Sequence, residues 1–145
     1  YGIAGHVTEI TDRIPYFETL YLLKKADILL VPGSTDTMYT ASKIYPYILA
    51  KKPLLAIFYK ESSVVKVLKD THAGKAVVFD HLNNPFTQYV EECFQELRDV
   101  IINKAKPVVI DESAMESYTA KAKALQQIEF FNRVLGSVKS KTAKQ

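Results

Sequence analysis

Three short apolar runs constrain this chain more than any other feature of it. They are "DILLVPG" from Asp27 to Gly33, "KPLLAIFY" from Lys52 to Tyr59 and "GKAVVF" from Gly74 to Phe79. Each is too short for a helix and is bounded by proline or glycine, and each is apolar without a polar alternation. A run of that kind reads as a strand buried on both faces, as in a parallel sheet; for the first it covers Ile28 to Val31.

Helical patterns separate the strands. "PYFETLYLLKK" from Pro15 to Lys25 repeats its apolar positions at three-to-four spacing, with Pro15 suited to a first turn. Thr40 to Lys51 repeats the pattern despite Pro46, and "ESSVVKVLKDTHAG" repeats it again up to Gly74, which is placed to act as a left-handed cap. Strands alternating with helices of about ten residues predict an α/β fold, a Rossmann-like parallel sheet with helices on both faces. Farther on, "NPFTQYVEECFQELRDVIIN" predicts an amphipathic helix with Phe86, Tyr89, Val90, Phe94, Leu97 and Ile101 along its stripe. "KPVVID" reads as an edge strand or an extended link, and Ser113 to Ser137 as a last helix opened by a Ser113/Glu116 capping box. The expected layout is one domain over residues 1–137 followed by a polar tail over 138–145.

Bulk properties narrow the function. A length of 145 residues suits one core, and a net charge of +3, part of it in the terminal lysines, does not describe a nucleic-acid-binding face. A single cysteine, Cys93, forms no internal disulfide, and no apolar run is long enough to span a bilayer, so a cytoplasmic protein is expected. His6, His72 and His81 are widely spaced, which argues against a metal site. The chain begins at Tyr1 without an initiator Met, and "GIAGHV" reads as the end of a strand, so a piece of a longer polypeptide is expected.

Ligands of open parallel sheets bind beyond the carboxyl ends of the strands. The richest loop there is "PGSTDTMYTASK": Gly33 permits close backbone approach, Ser34, Thr35, Thr37, Thr40 and Ser42 carry hydroxyls, and a helix starts within it. A helix start offers unpaired N–H groups and Lys43 adds a point charge, so a phosphate fits. The plainer reading is that these hydroxyls only cap the helix and turn the loop. No P-loop, dinucleotide fingerprint or nucleophile elbow is present.

"GHVTEI", then a helix, then "ADILLVPGSTDTMYTASKIYPYILAKKPLLAI" and "HAGKAVVF" together resemble the C-terminal, donor-binding domain of GT-B glycosyltransferases. The resemblance spans most of Gly5 to Phe79. It implies that the chain lacks that domain's first strand or strands and that its substrate is a UDP- or GDP-sugar, with no further cofactor. It implies that Gly33, Ser34, Ala41, Ser42 and Lys43 hold the donor diphosphate, that Met38, Tyr39 and Thr40 face the sugar, and that His6, Val7 and Thr8 lie near the base.

One departure stands out. The family keeps a ribose-binding glutamate seven residues before the proline of the Lys-Pro strand, and here that position is Pro46. The acidic residue found eight positions earlier in many relatives falls on Met38, with Asp36 close by. Catalytic and acceptor-binding residues would belong to a separate N-terminal domain, this chain's implied partner, so the chain alone is not expected to transfer a sugar. Any peripheral membrane association would also come through that domain. Two other readings stand beside this one: a scaffold domain that kept the fold and lost donor recognition, and a nucleotide-sugar epimerase. The last helix is expected to leave Leu125, Ile128, Phe131 and Leu135 exposed unless a partner covers them.

Overall fold

A computed structural model describes residues 2–34, 36, 39, 41–80 and 86–142, with the side chains of 86–88 and 137–142 set aside. The three apolar runs form β1 (Leu29–Pro32), β2 (Leu54–Tyr59) and β3 (Lys75–Phe79), a parallel sheet in the order β1-β2-β3. Leu29 pairs with Leu54 and Pro32 with Ile57, while Leu55 pairs with Lys75 and Tyr59 with Phe79. The helices before and between the strands are α1 (Tyr16–Lys25), α2 (Ile44–Leu49) and α3 (Ser63–Thr71). After β3 come α4 (Phe86–Ile102), α5 (Glu112–Glu116) and α6 (Ala120–Thr142). The α/β class and the parallel sheet flanked by helices agree with the periodicity.

Alternation along β2 divides the core. Leu54, Ala56 and Phe58 face a layer made of Leu23 from α1, Ile44 and Ile48 from α2, Val64, Val67 and Leu68 from α3, and Met115 from α5. Leu55 and Ile57 face the other way, with Val77 from β3, onto Cys93, Leu97 and Val100 of α4. Burial of a side chain such as Phe58, 1 % exposed, contributes about 1.5–3 kcal/mol, so these two layers hold the sheet.

Several local expectations are overturned. The first strand is not buried on both faces: Leu29 and Val31 are buried, whereas Leu30 is 49 % exposed. The reason is topological, because the α4 layer packs on β2 and β3 and reaches Ile28 but leaves Leu30 uncovered. "GHV" is not a strand end but part of an exposed 3-10 turn, Ala4–His6, closed by the His6 N–H on the Ile3 carbonyl at 2.8 Å. The helix expected over 40–51 is regular only from Ile44 to Leu49, preceded by a turn at Ser42 and Lys43. Pro46 is thereby its third residue, within the first turn, where an N–H has no intrahelical partner; its carbonyl accepts from Ala50 at 3.0 Å.

Farther along, the left-handed cap of α3 is His72, at φ 52°, not Gly74. Gly74 is needed for a different reason: a Cβ there would lie 2.7 Å from the Leu54 carbonyl oxygen. The packed seam of α4 runs through Tyr89, Cys93, Leu97 and Val100, and Val90, Phe94 and Ile101 point to solvent. "KPVVID" is an extended link, tied to the end of α3 by the Asp111 N–H on the Thr71 carbonyl at 2.8 Å. The last helical stretch is two helices with a turn at 117–119. Its cap is Asp111, whose carboxylate accepts from the Ala114 N–H at 2.9 Å, and Ser113 only supports that carboxylate at 3.0 Å. Helix α6 continues to Thr142, through most of the stretch expected to be a polar tail.

Candidate functional site

The parallel register sets the carboxyl ends of β1, β2 and β3 side by side, so Gly33, Lys60 and Asp80 begin the loops at one edge of the sheet. Hydrogen bonds engage several of the described residues after β1. Gly33 continues the ladder, its N–H donating to the Ile57 carbonyl at 2.7 Å. A Cβ at this position would lie 2.5 Å from Phe58 Cδ1, so the missing side chain makes room for the Phe58 ring. Ser34 Oγ accepts from the Asp36 N–H at 3.1 Å, and the Tyr39 N–H reaches the Asp36 carbonyl at 3.1 Å. Gly33 and Ser34 are therefore engaged in building the loop, as the plainer sequence reading has it.

The turn that opens α2 differs. Ala41 and Ser42 give their carbonyls to the N–H groups of Ile44 and Tyr45, at 2.9 and 3.4 Å. Among the described residues, no hydrogen bond takes up the N–H groups of Ala41, Ser42 and Lys43. Ala41 is buried, Ser42 and Lys43 are exposed, and Lys43 makes no ion pair among the described residues. Free N–H groups are what any helix start leaves, and consecutive backbone donors near an ammonium are one of the ways in which proteins bind anions. Helix α2 has only six residues, so its dipole adds little.

The other residues expected at the site are placed as follows. Tyr39 is half-buried and packs against the core beneath the loop. Met38 and Thr40 lie outside the described residues. His6, Val7 and Thr8 are exposed, and among the described residues no hydrogen bond, ion pair or ring contact joins them to Gly33–Lys43. Pro46 lines a crevice of about 220 Å³ with Tyr16, Leu20, Leu23, Lys24, Leu49 and Ala50, between α1 and α2. That crevice is lined chiefly by apolar side chains, with Lys24 and Tyr16 the polar exceptions, and Pro46 is part of its wall.

The loop "YKESS" over 59–63 is a second place at this edge that the sequence marks for inspection, but sequence reasoning gave no role to Lys60 or Asp80. The Lys60 N–H donates to the Phe79 carbonyl at 2.9 Å, and Lys60 Nζ lies 3.6 Å from Asp80. The Tyr89 hydroxyl donates to Asp80 at 3.0 Å, and Tyr59, Phe79 and Tyr89 follow one another at ring separations of 6.1 and 6.4 Å. The signal available was position alone: Lys60 and Asp80 each follow a strand immediately. Ser62 is no nucleophile but the cap of α3, its Oγ accepting from Val64 N–H at 3.3 Å. Burial, helped by Glu92, pushes the Cys93 thiol up from 9.0, which keeps it protonated and weakly nucleophilic near neutrality. Among the described residues no three His, Cys, Asp or Glu side chains converge on a metal position, and no helix is long and apolar enough to cross a membrane.

No protein-family model matches the chain, and neither the curated proteins nor the solved structures contain a match to it.

Proposed function

We propose that this chain is the nucleotide-sugar donor-binding domain of a GT-B glycosyltransferase and binds the diphosphate of a UDP- or GDP-sugar at the turn Ala41–Lys43. The observation that carries the reading is the set of backbone N–H groups at that turn with no partner among the described residues, beside the exposed Lys43 at the carboxyl edge of a parallel sheet. In the proposed reaction these amides and the ammonium accept negative charge as the diphosphate leaves the sugar. The sugar acceptor and the catalytic base come from a partner domain.

A second reading, a scaffold domain without donor recognition, is favoured by one observation. Pro46 stands where the family keeps the carboxylate that would hold the ribose, and it lines a crevice with Leu20, Leu23 and Leu49. Loss of a charge-assisted hydrogen bond of that kind costs about 1.5–3 kcal/mol of binding. Calorimetric titration of the chain with UDP and with GDP separates the two. Donor binding predicts saturable heat with at least one nucleotide and affinity about tenfold weaker in Lys43→Ala, a difference of about 1.4 kcal/mol, at unchanged melting temperature. Absence of heat with both nucleotides supports the scaffold reading, and an equal loss of stability in the variant marks Lys43 as structural.

A further inference from the structure

We draw no further inference here: the strongest candidate, the apolar surface patch that helix α6 exposes through Leu125, Ile128, Phe131 and Leu135, is an unpartnered face, and nothing in the structure shows what covers it.

Discussion

Replacing Gly33 by alanine separates a packing glycine from a phosphate-binding one. The added Cβ would lie 2.5 Å from Phe58 Cδ1, 2.7 Å from Phe58 Cγ and 2.7 Å from the Ile57 carbonyl oxygen. Comfortable carbon separations are about 3.5–4.0 Å, so the Phe58 ring or the β2 backbone must move by about 1 Å. Phe58 is 1 % exposed and its ring is enclosed by the helical layer, which leaves little room to yield. Overpacking of this kind costs about 1–3 kcal/mol, and the lower unfolded-state entropy of alanine returns up to about 1 kcal/mol. A net loss of about 1.5 kcal/mol lowers the melting temperature of a chain this size by roughly 4–5 °C. Urea denaturation of wild type, Gly33→Ala and the control Gly5→Ala measures it, the control having no atom within 4 Å of its added Cβ. An unchanged midpoint in Gly33→Ala, above all with loss of nucleotide affinity, would refute the packing account and return Gly33 to the ligand.

Other consequences are open to similar measurement. His72 holds a left-handed conformation at φ 52° that costs a residue with a Cβ about 1–2 kcal/mol, so His72→Gly is expected to raise stability by about 0.5–1 kcal/mol in urea titration. A loss instead would give the exposed imidazole a role of its own. Stability should also depend on pH at both extremes. Asp70, Asp99 and Asp111 titrate below their ordinary value of 3.8, held down chiefly by hydrogen bonds from Lys66, Lys75 and the Ala114 N–H respectively. Their contribution is complete above that value and is lost as the pH falls below it. Lys66 and Lys75 titrate above 10.5, held up chiefly by the hydrogen bonds they donate to Asp70 and Asp99, so their contribution is complete below 10.5 and lost as the pH rises past the elevated values. Thermal melts from acid to alkaline pH should show both declines, and salt should shrink the acidic one, because these pairs are exposed.

The order of elements was legible because it rests on local signals. Continuous apolar runs between proline and glycine mark β2 and β3 to within a residue or so, and three-to-four spacing marks α1 and α3 nearly as well. What was not legible depends on neighbours. Leu30 reads like Leu29 and Val31, and only the position of α4 decides that it faces solvent. Gly74 reads as a cap, yet its small size is required by Leu54, from which it is separated by a whole helix, and His72 takes the strain instead. Asp111 wins the cap from Ser113 because the link that carries it is anchored to Thr71. At the candidate site the sequence marks a hydroxyl-rich loop and a lysine. It does not reveal that the Gly33 N–H is committed to Ile57, since that follows from strand register. Pro46, a puzzle by helix propensity, becomes ordinary once α2 is seen to start at Ile44.

The donor-binding account is tested most directly by following backbone amides of the chain, residue by residue, in an NMR titration with UDP and with GDP. It predicts progressive, saturable shifts centred on Ala41, Ser42 and Lys43, with Gly33, whose N–H is held by Ile57, moving little. Shifts absent with both nucleotides at millimolar concentration, or centred on the crevice at the opposite end of the sheet near Gly74 and Asn103, would contradict it.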